Sequence, residues 1–454
     1  MLSLQKEKII FVFVILINVL LTFYFFGLKR LLWWDETVYL SLGKSILEGR
    51  YEITSKRDTF RPFLFPLILS LGLSIDGEFL PRIIIMIFTV LSIITTYYMV
   101  RKLFNEKVGF LSILILSSFP SFIFYSNKIL AEMVFLTLTP LAVTTFYLGI
   151  EKNKKFFYYS AFLTSLSIQT KYFGFLLLVI YFVYILFRKN IRIFKEREFY
   201  LASLIFFLTL TPWFAINIIY YGNLIGGILE NSKIYLPLPE NQPFYFFLKD
   251  SWEIFGLSII FIPIGVFYAI KSKKNNVLLI SIYALIPFLI FSLAHHKEAR
   301  YLVSFLPAFS CLIGFTLQRM KEKFRTFTYG IIIIILIFGL YLGCKKIIEE
   351  EVNVDIFKEG SLFIKQITHE NEYVMSESYP YLSYYADRMS GRPPKEKKNF
   401  YSLFEKYNIS YIFVDLFEPG NPNYLISELR TNKFEEVKSF KSQQQRTVTI
   451  YKKL

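Results

Sequence analysis

Four short polar clusters interrupt a chain that is otherwise overwhelmingly apolar: Trp33-Trp34-Asp35-Glu36, the single carboxylate Glu132, Gln169-Thr170-Lys171-Tyr172, and His295-His296-Lys297-Glu298-Ala299-Arg300-Tyr301. Their residue types suit one kind of chemistry. Asp and Glu can take a proton from a hydroxyl, Lys offers a point charge to an anion, and Arg grips phosphate or carboxylate through two parallel hydrogen bonds. Each cluster also has a plainer reading. The Trp pair could anchor a helix at a bilayer surface beside a solvated acid pair, and Glu132 could simply face water. Lys171 could snorkel from a helix end, and the His-Lys-Glu turn could be a solvated hairpin. The side of the membrane on which each cluster falls separates these readings.

The elements that must position the clusters follow from composition. Of 454 residues, 54% are hydrophobic and 19% aromatic, with a mean hydropathy of +0.45. This excludes disorder, collagen-like repeats and an ordinary soluble globule. Fifty-one Lys and Arg against 35 Asp and Glu leave a net charge of +16. Such a surplus fits nucleic acid or an anionic membrane surface, and the long apolar runs decide for the membrane. No nucleic-acid partner is expected. Cys311 and Cys344 both sit in apolar runs without metal-ligand spacing, which speaks against a disulfide framework or a zinc site.

A helix crossing roughly 30 Å of hydrocarbon needs about 20 apolar residues. Runs free of Asp, Glu, Lys and Arg occur at 9–28, 83–100, 108–127, 133–150, 156–170, 172–187, 199–221, 254–270, 277–294, 301–318 and 326–344. They predict eleven transmembrane helices. The first is too long for a cleavable signal peptide, and no small-residue cleavage site follows it. A shorter run, 62–75, begins with Pro62 and Pro66 and reads as an interfacial or re-entrant helix.

Loop charge tests this count. With eleven spans and a cytoplasmic N-terminus, loops 101–107, 151–155, 188–198, 271–276 and 319–325 face the cytoplasm and carry 3, 3, 5, 3 and 4 Lys/Arg. Counting 62–75 as a span would place all five outside, so the positive-inside rule selects eleven. The expected architecture is a multi-pass α-helical membrane protein in the cell membrane, with a membrane-embedded domain at 1–344. The stretch 345–454 then forms a small extracytoplasmic α/β domain, since short β-rich runs such as 411–414 and 447–450 alternate there with helix-like segments.

This topology puts all four polar clusters at the extracytoplasmic ends of their helices. It puts the aromatic and proline-rich loop 222–253 there too, with Tyr235, Pro237, Pro239, Pro243, Phe244 and Tyr245. Carboxylates, a Lys, two His and an Arg on one aromatic-ringed face are the composition of a site for an anionic, amphiphilic substrate at the membrane surface.

At this point the chain resembles the glycosyltransferase C superfamily of polyprenyl-phosphate-sugar-dependent transferases. Asp35-Glu36, Tyr39, Gly49 and Arg61-Pro62 are similar to the first extracytoplasmic loop of protein O-mannosyltransferases and bacterial aminoarabinose transferases. Thr170-Lys171 followed by Gly174 resembles their Thr-Lys segment. His296-Lys297-Glu298-Ala299-Arg300-Tyr301 resembles the His-Lys-Glu-x-Arg-Phe element of lipid-anchor mannosyltransferases, with Tyr for Phe. The likeness covers about 1–320. All four Trp precede residue 345, unlike the Trp-Trp-Asp signature that oligosaccharyltransferases carry in a soluble domain.

The resemblance implies an inverting transfer of a sugar from a polyprenyl (dolichyl-type) phosphate donor to an extracytoplasmic protein, glycan or lipid acceptor. It makes 29–82 the catalytic first loop, with Asp35 as base and Glu36 and Glu132 as catalytic neighbours. Arg61, Lys171, Lys297 and Arg300 would bind the donor phosphate, and His296, Glu298 and Tyr301 would line the substrate. No ligand cluster assigns a metal, although carboxylates in this superfamily sometimes hold a divalent cation. Two other classes stand beside this reading: a flippase or transporter of lipid-linked sugars, and a noncatalytic receptor whose tail does the binding. A transporter should show internal repeats and ionisable groups near the bilayer midplane, and neither is apparent.

Overall fold

In lipid every backbone N–H and C=O must find a partner within its own segment, so long uncharged runs fold as helix. The computed structural model describes residues 2–26, 32–53, 61–75, 77–235, 242–351, 356–416, 420–442 and 446–454. Pro237 and Pro239 of the aromatic loop lie outside them. The chain divides into two compact units, Met1–Phe26, Phe60–Phe65 and Arg82–Ile347 forming one, and Gly27–Thr59, Pro66–Pro81 and Ile348–Leu454 the other.

The first unit is helical. Among the described residues, seven helices are long and apolar enough to cross a membrane: Ile9–Phe26, Phe79–Leu103, Glu132–Glu151, Arg197–Tyr221, Ser251–Lys271, Asn275–Leu293 and Arg325–Glu349. The remaining uncharged runs are helical in shorter pieces, including Phe156–Thr170, Tyr172–Phe187 and Leu306–Lys323. The run 108–127 breaks into Glu106–Ser118 and Pro120–Tyr125. Proline has no N–H to continue the ladder and disfavours helical backbone in the residue before it; Phe119 is accordingly extended. The run 62–75 yields the ten-residue helix Leu64–Leu73.

Small residues let these helices approach closely, as membrane packing requires. A Cβ on Gly339 would overlap the carbonyl oxygen of Ser118, at the break before Pro120. Gly339→Ala is therefore expected to cost about 1–3 kcal/mol by overpacking. The measurement is the melting midpoint of the detergent-solubilised protein, and an unchanged midpoint would mean that the helix does not pack there.

The second unit is built on a five-stranded sheet. Its strands are β1 (Tyr373–Met375), β2 (Met389–Gly391), β3 (Tyr411–Asp415), β4 (Phe434–Lys441) and β5 (Thr447–Lys453), in the order β2-β1-β3-β5-β4. β1 runs parallel to β2 and β3, whereas β5 is antiparallel to β3 and β4. Side chains alternate across the sheet. Val374, Phe413, Val448 and Ile450 face the core under helix Ile356–Ile367. Met375, Ile412 and Val414 face the opposite core, under Phe400–Tyr407 and Leu425–Leu429.

Residues far upstream complete this unit. Tyr381 donates its hydroxyl to Leu32 O (3.0 Å), Ser383 to Ile53 O (2.6 Å) and Tyr384 to Gly77 O (2.8 Å). Lys44, on helix Trp34–Leu47, donates to Tyr384 O at 2.8 Å. A Cβ on Gly43 would press into Leu73, so that helix also lies close against Leu64–Leu73.

Candidate active site

In the first unit, three of the four polar clusters meet. Glu132 opens helix Glu132–Glu151, and Lys171 caps the C-terminus of Phe156–Thr170. The Lys171 ammonium donates to Glu132 Oε1 at 2.7 Å and to Ser304 Oγ at 3.1 Å. Both side chains are shielded, Glu132 being 3% and Lys171 15% exposed. The Phe173 ring lies 4.8 Å from the ammonium and packs on Tyr301 with ring centroids 5.1 Å apart. That contact ties the Lys171 turn to the fourth cluster.

Within that cluster Glu298 is the hub. Its Oε1 is 3.0 Å from His296 Nε2, and Arg300 donates Nε to its Oε2 at 2.5 Å and Nη2 to its Oε1 at 3.2 Å. The Tyr301 hydroxyl approaches the same carboxylate at 3.5 Å. Lys297 is 3% exposed and holds Gln242, donating its ammonium to the Gln242 carbonyl and its N–H to Gln242 Oε1, both at 2.6 Å. Arg61 is buried in this unit, 9% exposed.

The first cluster belongs to the second unit. Helix Trp34–Leu47 begins with both acids in its first turn, where the helix dipole favours negative charge. Glu36 is fully buried and its Oε2 accepts the Trp33 N–H at 2.8 Å, so its carboxylate is committed to capping the helix. Asp35 is half-buried. Trp34 packs edge-on against Tyr379 at 5.5 Å, and the Arg392 guanidinium lies over both rings, at 5.9 and 5.6 Å.

Chemically, the first unit offers buried and half-buried cations beside paired carboxylates under an aromatic wall, which suits an anionic group carried by an apolar ligand. Known proteins with this architecture can now be placed beside it. Residues 60–216, about a third of the chain, match the dolichyl-phosphate-mannose-protein mannosyltransferase family. The whole fold superposes on ArnT from Cupriavidus metallidurans bound to undecaprenyl phosphate with a TM-score of 0.76 at 13% identity, covering 97% of both chains. The chain therefore shares its fold with ArnT. The archaeal oligosaccharyltransferase AglB from Archaeoglobus fulgidus, in complex with an inhibitory peptide and a dolichol-phosphate, matches with a TM-score of 0.66 at 13% identity, over 89% of this chain and 69% of that one. An uncharacterized protein of Aquifex aeolicus (strain VF5) is 27% identical over 333 residues, 69% of this chain; the match spans 65% of that relative's length.

Several residues near these clusters, each in its own unit, escape a reading of the sequence. Ser304 and Phe173 complete the Lys171 pocket, but a Ser or Phe in an apolar stretch carries no signal of its own. Lys128 does: it is 3% exposed and stands alone between two apolar runs, four residues before Glu132. Arg392 reaches Trp34 from 358 residues away, beyond any local pattern. Among the described residues no three His, Cys, Asp or Glu converge as metal ligands.

Proposed function

We propose that this protein is a membrane-embedded, inverting glycosyltransferase that moves a sugar from a polyprenyl phosphate donor to an acceptor hydroxyl on an extracytoplasmic protein, glycan or lipid. The observation that carries the reading is the shielded Glu132–Lys171–Ser304 group joined through Phe173 and Tyr301 to Arg300 and Glu298. Three segments separated in sequence bring two cations and two carboxylates together, in a fold shared with a protein bound to undecaprenyl phosphate and another in complex with dolichol-phosphate.

In this mechanism the acceptor oxygen attacks the anomeric carbon as the bond from that carbon to the phosphate oxygen breaks, inverting the centre. Asp35 takes the acceptor proton, and the lipid phosphate leaves with the bonding electron pair. Lys171 and Arg300 stabilise the growing phosphate charge, with Glu132 and Glu298 holding the two cations in place. Lys297 orders the loop at Gln242, while Arg61 is a further phosphate ligand. His296 and Tyr301 shape the pocket around Glu298.

The discriminating experiment incubates the purified protein with a panel of labelled polyprenyl phosphate sugars. Release of free polyprenyl phosphate supports transfer. Movement of the intact lipid across a vesicle bilayer without such release would make the protein a transporter instead.

The proposed topology has eleven spans, a cytoplasmic N-terminus, and 345–454 outside the cytoplasm. Single cysteines placed in a background lacking Cys311 and Cys344 test it in intact cells. Positions in 188–198 should resist a membrane-impermeant thiol reagent, and exposed positions in 356–442 should react. Labelling of both sets from outside would overturn the sidedness.

A further inference from the structure

Within the second unit, helix Trp34–Leu47 and the turn after it face residues 370–389 of the tail across a cavity of about 400 Å³, inside the range of about 300–1,000 Å³ usual for small-molecule sites. Its wall is strongly polar. Four carboxylates (Glu48, Glu52, Glu370 and Asp387) face three cations (Lys44, Arg50 and Arg388).

The cations are already engaged. Arg388 is buried and donates all five of its N–H groups within the unit, to Thr368 Oγ1 and to the carbonyls of Lys365, Thr368, Ala386 and Asp387. Arg50 pairs with Glu48 and, at 3.3 Å, with Glu52. Lys44 donates to Tyr384 O and lies 4.5 Å from the Tyr384 ring, and burial lowers its affinity for a proton below that of an ordinary lysine. With four carboxylates to three cations, the wall is net negative and disfavours an anion.

What is left over accepts and donates neutral hydrogen bonds. The Ser41 hydroxyl is buried, with 6% exposure, lines the cavity and has no hydrogen-bond partner. A buried hydroxyl without a partner costs about 1–3 kcal/mol, which a ligand hydroxyl would relieve. Asn371 and the carboxylates of Glu370 and Asp387 add exposed acceptors and an amide donor on the facing wall. Asp387 sits at φ 57°, in the left-handed region that Asp and Asn tolerate better than most residues.

We propose that this cavity binds a neutral, hydroxyl-rich sugar, the carbohydrate portion of the acceptor. Carboxylates and an amide suit the vicinal hydroxyls of a sugar ring, and Ser41 would meet the most deeply inserted one. The word acceptor rests on the glycosyl-transfer reading above; the binding of a sugar does not, and is tested without any donor.

The test applies saturation-transfer NMR to the full-length protein in detergent, with the methyl glycosides of glucose, galactose, mannose and N-acetylglucosamine. Inorganic phosphate and ethanolamine serve as anionic and cationic competitors. At least one glycoside should receive saturation from the wild-type protein and lose it on Ser41→Leu, which removes the hydroxyl and narrows the cavity. Asp387→Asn, which keeps the left-handed backbone at an exposed position, should weaken that binding about tenfold, the loss of a charged hydrogen bond. It keeps the test valid if Ser41→Leu fails to fold. No saturation of any glycoside, equal saturation in both variants, or displacement of the glycoside by phosphate or ethanolamine would overturn the proposal. Donor consumption is measured in parallel on the same preparation. In the wild-type protein, no sugar binding with donor consumption intact rejects this site alone, and sugar binding without donor consumption rejects the transferase reading alone.

Discussion

Lys171→Ala is expected to destabilise the protein by about 3–5 kcal/mol as well as to end turnover, because it leaves Glu132 charged and shielded with its nearest cation gone. The size of the effect follows from desolvation. An ammonium–carboxylate pair at 2.7 Å in such surroundings gains little net energy by existing, yet removing one member strands the other. A double variant separates stability from chemistry. Glu132→Gln with Lys171→Met removes both charges at similar volume, so the melting midpoint should return most of the way to wild type. Turnover should stay lost, since no cation remains at that position to meet the donor phosphate. The check is thermal melting and donor turnover for the single and double variants. A single variant that melts like wild type would mean the pair is not shielded in solution. A double variant that recovers turnover would make the pair purely structural.

Asp35→Asn should lower turnover by about 10²–10⁴-fold while donor affinity changes little. The substitution preserves shape and much of the hydrogen bonding but removes basicity. Glu36 is the natural control. Its carboxylate accepts the Trp33 N–H, and a Gln carbonyl can do the same, so Glu36→Gln should fold normally and lose far less activity. Steady-state transfer and donor binding for the two variants distinguish base from cap. Near wild-type turnover in Asp35→Asn would sink the assignment, leaving Glu36 and Glu132 as the next candidates.

The helices were legible in the sequence because an uncharged run in hydrocarbon has few alternatives to helix. One such run breaks at Phe119-Pro120, whereas Pro140, Pro212 and Pro287 lie inside unbroken helices, so neither a count of charges nor a proline alone marks the break. The strands at 411–414 and 447–450 were readable from their β-branched and aromatic content, and coincide with β3 and β5. The short strands β1 and β2 were not, because three residues carry too little pattern. At the site, sidedness alone grouped Glu132, Lys171 and the His296–Tyr301 turn. It said nothing of who pairs with whom. The Lys171–Glu132 bond spans 39 residues and the Lys171–Ser304 bond 133, so both depend on helix packing that no local periodicity encodes. The sugar cavity was invisible for the same reason: Ser41 is unremarkable until the tail closes over it.

The hydrogen bond from Tyr381 to Leu32 spans 349 residues, and Ser383 reaches back 330 residues to Ile53. During synthesis at about 5–20 residues per second, the helix Trp34–Leu47 must therefore wait some tens of seconds before its partners leave the ribosome. For that interval the carbonyls of Leu32 and Ile53 lack the hydroxyls that donate to them in the finished protein. Biogenesis is thus most vulnerable at the earliest loop. Slowing translation of the downstream helices should raise the fraction degraded, and a ribosome stalled before residue 381 should leave that loop open to protease.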